Sequence, residues 1–262
     1  MAFLDYDGLK YFKEKNDAAY IKVYNNAGAH NAIYRGKNLG TSVTDAQYAA
    51  IAAGTFEDLY IGDYWVINKV TWRIAAFDYY LTTGDSECKT HHVTIVPDTI
   101  LYKAMINSTS TVEGAYYGSE MRTANLATAK TTINTAFGSA HILTYSARLT
   151  NAVDDAGVAA GASWYDNTVE LMTEINVFGT KIISAAEMNT FNRAEGAAAS
   201  DMAQFPLFAL TPEKIKDSSK AGYWLRDLAP GTRFCYVSTY GACGCYNVKN
   251  SNGVRPAFSI IG

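Results

Sequence analysis

Residues 60–67 (YIGDYWVI) and 70–75 (VTWRIA) are runs of β-branched and aromatic side chains with only Asn68-Lys69 between them. Such side chains are enriched in strands, and a two-residue connection joins antiparallel neighbours, so a β-hairpin is expected here. Residues 92–96 (HVTIV) read as a third strand, ended by Pro97. Strand-like runs return at 222–226, 233–240 and 254–261. Between them, residues 119–137 are Ala-rich, with Met121, Leu126 and Ile133 at helical spacing. Residues 163–178 hold Trp164, Val169, Leu171, Met172 and Ile175, and a helix end is expected over 187–193. Helices in the middle and strands on both sides imply an α+β domain whose terminal strands meet.

Upstream, Leu9, Phe12 and Ala18, with Lys10, Lys13, Glu14 and Lys15 between them, give a short amphipathic helix that Asp5 or Asp7 can cap. At about 12–15 residues such a helix is marginal alone and needs a surface to dock on. Residues 24–40 are rich in Asn and Gly and read as a loop or linker. Thr44 followed three residues later by Gln47 is a capping box, opening a second helix over 45–51. Residues 195–200 read as a surface loop, and no internal repeat is visible. The division expected is a helical and linker region over 1–54 and a single domain over 55–262.

The chain has 262 residues, 48% hydrophobic and 18% charged, which suffices for a real core and excludes disorder and collagen-like repeats. No run approaches the roughly 18 apolar residues of a membrane helix, so no membrane insertion is expected. A net charge of −3 argues against nucleic acid as a partner. The four cysteines, Cys88, Cys235, Cys243 and Cys245, are too few for a disulfide-built secreted domain. The opening MAFLDYDGLKYF lacks the basic and apolar regions of a signal peptide, so synthesis in a reducing cytoplasm is expected. The sequon Asn107-Ser108-Thr109 then reads as a polar turn.

Catalytic and metal motifs are missing. Seven residues separate Gly28 from Gly36-Lys37, and Asn38 follows, so no phosphate-binding loop forms. No nucleophile elbow, paired-His zinc helix or dinucleotide glycine signature occurs. Cys88, His91 and His92 with Cys243 and Cys245 contain the right atoms for zinc but no CxxC pair, and no carboxylate cluster suits calcium. No metal and no cofactor are expected.

Tyrosine is the unusual residue, 19 copies against 5 Pro and 4 His. It supplies large, stiff, amphipathic contact area at low entropic cost, as binding surfaces require. Tyr60, Tyr64, Tyr79 and Tyr80 fall in or beside scaffold strands, whereas Tyr236, Tyr240 and Tyr246 fall in an irregular stretch between two regular ones. That stretch, 233–252, is made largely of Tyr, Ser, Cys, Gly, Asn and Thr without core periodicity. All of these residue types are reachable by changing the adenines of an AAC codon. Period-two alternation, if the stretch is extended, sets Phe234, Tyr236, Ser238 and Tyr240 on one face.

Trp224-Leu225-Arg226 followed by Gly253-Val254-Arg255-Pro256-Ala257-Phe258 resembles the end of the C-type-lectin-like domains in variable proteins of diversity-generating retroelements. Residues 61–67, 72–75, 91–98, 204–208 and the opening 3–12 are similar to tail-associated structural proteins of gut bacteriophages that carry such domains. The resemblance implies a C-type-lectin-like fold with a short helical N-terminal appendage, its terminal strands paired and an irregular ligand surface above them. It further implies that Tyr236, Ser238, Thr239, Tyr240, Cys243, Cys245, Tyr246, Lys249 and Asn250 form the diversified ligand-binding surface, with the three tyrosines as anchors. Trp224, Arg226 and Arg255 would be framework. Three cysteines in one short surface leave open a disulfide among them or reactive thiols.

The function implied is a phage virion protein that attaches to a bacterial surface protein or glycan. It would be made in the host cytoplasm and work as a homo-oligomer, a trimer for example, because avidity multiplies weak contacts. Residues 1–54 would join it to other virion proteins or sister subunits. Two other readings remain: a structural or decoration protein without ligand, and an oxidase of the formylglycine-generating type using Cys235 with Cys243 or Cys245. Fold kinship alone does not carry that chemistry, so no enzyme is expected.

Overall fold

The computed structural model describes residues 6–13, 15, 25–184 and 203–262. Residues 6–13 are helical, with Leu9, Tyr11 and Phe12 exposed on the described residues. Asp5 and Ala18, the expected helix end over 187–193 and the loop at 195–200 lie outside the described residues.

The stretch read as a linker contains a five-residue helix, α1 (Ala27–Asn31). Its cause is local: the Asn26 side chain accepts the Ala29 N–H at 3.0 Å and caps the first turn. The next helix, α2 (Asp45–Ala52), has the expected capping box, with Thr44 and Gln47 each bonding the other's backbone N–H.

The expected hairpin is β1 (Tyr64–Ile67) and β2 (Val70–Phe77), paired antiparallel through Ile67 and Val70. Asn68 and Lys69 both take positive φ, 52° and 67°, as a type I′ turn demands. Strand β3 (Val93–Pro97) pairs with β2, and β4 (Tyr102–Ala104) follows. Residues 121–137 form one π-helical turn and then α3 (Leu126–Phe137).

The middle of the chain departs from the helical reading. Strands β5 (Tyr145–Val153) and β6 (Ala159–Asn167) make a long hairpin, and β7 (Val169–Leu171) follows before the short helix α4 (Glu174–Phe178). The apolar residues of 163–178 fit no single period, because one end faces β5 and the other faces the last strand. Tertiary pairing outweighs propensity there.

After α5 (Pro206–Leu210) come β8 (Tyr223–Ala229), β9 (Arg233–Val237), β10 (Cys243–Asn247), β11 (Asn252–Val254) and β12 (Pro256–Ile260). One five-stranded sheet runs β1-β2-β3-β12-β7 and a second runs β10-β9-β8-β11-β4. The first and last strands share this sheet but do not pair: β1 is at its edge, and β12 lies between β3 and β7, with Phe258, Ser259 and Ile260 opposite Ile95, Thr94 and Val93. The protein is thus α+β.

The chain passes between sheets at Arg255, which is fully buried. Its guanidinium donates to the carbonyl of Pro97 at 2.8 Å and to those of Lys214 and Ile215 at 3.1 Å. Trp72, Phe137 and Phe258 pack around one another at 5.2–5.5 Å, fastening α3 to the first sheet. Each such burial contributes about 1.5–3 kcal/mol. Among the described residues, no helix is long and apolar enough to cross a membrane.

The CKTHH segment is a core feature. The buried His92 ring accepts the Tyr80 N–H through Nε2 at 2.9 Å and donates to the Thr90 carbonyl through Nδ1 at 2.8 Å. Burial holds its pKa below the ordinary 6.5, as it does for His30. A depressed folded value means that the unfolded chain takes up the proton first as the solution is acidified. Stability is therefore full above pH 6.5 and falls as the pH drops below it. Urea denaturation at pH 7.5 and 5.5 is expected to show that loss, and His92→Gln to flatten part of it. A slope unchanged in the variant contradicts the assignment.

Candidate functional site

The second sheet presents two faces of different chemistry. Directly opposed residues in an antiparallel pair share a face, and the register sets Trp224 opposite Tyr236, Tyr236 opposite Gly244, and Phe234 opposite Tyr246. Trp224 is fully buried, with its indole N–H bonded to the Ala104 carbonyl at 2.9 Å. Tyr236 and Tyr246 sit over it, their rings 6.5 and 6.2 Å from the indole and 5.4 Å from each other. Gly244 makes room for this arrangement, since a Cβ there would come within 2.7 Å of the Tyr236 ring. Tyr236 remains half-buried and Tyr246 is exposed.

Strand β9 ends at Val237, so the expected alternation stops there. Phe234 is buried, and Ser238 and Tyr240 belong to the five-residue loop between β9 and β10. The Ser238 hydroxyl accepts the backbone N–H groups of Tyr240 and Ala242 at 3.3 and 3.1 Å. Gly241, at φ 83°, supplies the left-handed turn. The loop holds Tyr240 out into solvent at 84% exposure, the most exposed large apolar side chain described.

These residues border a groove of about 720 Å³. Tyr236, Ser238, Thr239, Tyr240 and Tyr246 line one side of it. The other side comes from Ile100 and Lys103, from the turn Ser219–Gly222, and from Ser251 and Asn252. The Asn252 side-chain nitrogen is buried without a hydrogen-bond partner. Sequence reasoning missed this second wall, because its segments are far apart in the chain and unremarkable singly.

The other four expected site residues lie elsewhere. Lys249 and Asn250 form the turn after β10, where the Asn247 side chain accepts the Lys249 N–H at 3.0 Å. Cys243 and Cys245 are on the opposite face of the sheet from the tyrosines, with Cys245 directly across from Cys235. The Cys243 thiol lies 2.9 Å from Glu174 Oε1. Burial would raise the Glu174 carboxyl, but bonds from Cys243, Ser184 and the Ile183 and Ser184 N–H groups bring it below its ordinary value. The Cys235 thiol is driven far upward by its bond to Cys243 and by burial, the reverse of an activated nucleophile. All four cysteines are free thiols. Among the described residues no group of three or more His, Cys, Asp or Glu is arranged to hold a metal ion. The sequon asparagine is buried, its amide donating to the Thr111 carbonyl at 2.7 Å.

Trp224, Arg226 and Arg255 are all buried, and Trp224 lies directly beneath the groove's tyrosines. Among known proteins, residues 163–262 match a family model described only as a domain of unknown function, DUF6273. No curated protein and no solved structure matches the chain. The matched region begins within β6 and runs to the C-terminus, so it contains most of the groove and the whole thiol face, while Ile100 and Lys103 come from outside it.

Proposed function

We propose that the protein is a bacteriophage virion component that attaches to the bacterial surface through the tyrosine-lined groove. The observation that carries this reading is the grouping of Tyr236, Tyr240 and Tyr246 on one groove, with Tyr240 projecting at 84% exposure on a hydrogen-bonded loop. Exposed aromatics on a rigid support are how affinity anchors are built. The C-type-lectin-like architecture belongs to the same reading, supported by the sequence resemblance, the α+β class and the pairing of β3 with β12. So does oligomeric display, in which several weak grooves act together.

Adsorption is the test. Fluorescently labelled protein is expected to bind some members of a panel of intestinal bacterial isolates, and Tyr240→Ala to weaken that binding roughly tenfold or more. Because Tyr240 packs little, its loss should leave the denaturation midpoint in place. Binding that ignores Tyr240 overturns the reading. Diversification is a separate matter, decided by the genome: a near-copy of residues 224–258 beside a reverse transcriptase gene, differing at adenines, would establish it.

A further inference from the structure

The groove carries a charge that the chain as a whole does not. The protein's net charge is −3, yet among the described residues those lining the groove include Lys103 and Lys220 and no Asp or Glu. Both lysines are exposed, and neither makes an ion pair among the described residues. They stand on separate elements, Lys103 on β4 and Lys220 on the turn before β8, with Asn252 between their strands on β11. Asp217 is buried behind the wall, where its carboxylate accepts the N–H groups of Ile100, Ser219 and Ala221; it keeps its negative charge but turns it away from the groove toward these donors.

Chemistry narrows the occupant further. The groove, about 720 Å³ and widely open to solvent, is large enough to receive a small ligand or a few units of a polymer. Its lining combines flat aromatic rings with the Ser238, Thr239 and Ser251 hydroxyls. Rings that cover the apolar faces of sugars, beside donors for their hydroxyls, suit a saccharide. Lysines without counter-charges suit an anionic one. We propose that the groove binds an anionic glycan, with Tyr236, Tyr240 and Tyr246 contacting sugar rings and Lys103 and Lys220 contacting carboxylate or phosphate groups. This rests on the reading of the groove as the attachment site and names its ligand class.

The test immobilises polygalacturonate, glycerol-phosphate teichoic acid, dextran and mannan and measures binding of the full chain. It includes Lys103→Gln/Lys220→Gly, the exposed control Lys89→Gln, and Tyr240→Ala. Lys220 has φ 60°, where glycine is at ease, so that variant should not disturb the fold. Binding is expected on one or both anionic polymers and not on the neutral ones. The lysine pair variant should reduce it about tenfold or more, and Lys89→Gln should not. Equal binding to dextran or mannan, or indifference to the lysine pair, overturns the charge assignment and leaves the groove reading standing. Tyr240-dependent adsorption to cells without binding to any of the four polymers overturns the glycan class. If Tyr240→Ala changes neither polymer nor cell binding, the attachment reading itself falls.

Discussion

Replacing Asp98 with alanine is expected to lower the stability of the fold by about 3–5 kcal/mol, the usual cost of stranding one partner of a buried ion pair. Asp98 and Arg73 are both buried, and the guanidinium grips both carboxylate oxygens, with Nε 2.6 Å from Oδ1. Arg73 also donates to the Gly62 carbonyl and lies over the Tyr64 ring at 4.6 Å, so it has no route to solvent. Lys214 is also 3.9 Å from the carboxylate, and as a cation it cannot replace the lost acceptor. The loss should appear as a lower urea midpoint at an unchanged slope. Replacing both partners by apolar residues, Arg73→Met with Asp98→Leu, should recover much of it, because no buried charge is then left alone. A single variant within about 1 kcal/mol of the parent would mean that water reaches this pair. The groove's far wall should be spared, because the Asp98 bond to the Ser218 N–H, 3.0 Å, is made by a backbone carbonyl that alanine keeps, and Ile100 is held by Asp217.

Removing the two ring platforms, Tyr236→Ala with Tyr246→Ala, is expected to lower binding to bacterial cells on the order of a thousandfold, since central aromatics contribute about 2 kcal/mol or more each. Tyr236 and Tyr246 cover the indole of Trp224 from outside, and without them that ring faces water. Its fluorescence should shift to longer wavelength even in the absence of ligand, which reports that the platform is gone. The paired phenylalanine variants keep the rings and lose only the hydroxyls, so they should retain most of the binding. If they lose as much as the alanine pair, contact is made through hydroxyl hydrogen bonds rather than through the ring faces.

The parts of the fold that were legible in the sequence are those fixed by neighbours in the chain. The type I′ turn at Asn68-Lys69 and the Thr44/Gln47 capping box each depend on a few consecutive residues. That strands from both ends would share one sheet was legible from their apolar runs, but their order was not: β12 pairs with β3 and β7, and the first strand, β1, is at the edge. What escaped was decided at a distance. Residues 163–178 have no single period because 163–167 pair with β5, 169–171 pair with β12, and only 174–178 are helical. The site divided in the same way. Tyr236, Tyr240 and Tyr246 were visible as aromatics without a core to fill, and they do border one groove. Cys243 and Cys245 were grouped with them by sequence proximity alone. A strand sends alternate side chains to opposite faces, and the thiols went to the side of Glu174. Lys103, Lys220 and Asn252 carried no local signal, because their significance lies in the sheet order that gathers them.

That division of the sheet into a tyrosine face and a thiol face gives the most direct measurement. Adsorption to responsive bacterial isolates is compared for the parent chain, for Tyr236→Ala/Tyr240→Ala/Tyr246→Ala, and for Cys243→Ser/Cys245→Ser, each first checked for an unchanged far-ultraviolet circular-dichroism spectrum and a cooperative urea transition. The expected result is that the tyrosine variant fails to bind and the cysteine variant binds like the parent. Binding abolished by the cysteine variant and untouched by the tyrosine variant would contradict the account and move the functional site to the other side of the sheet.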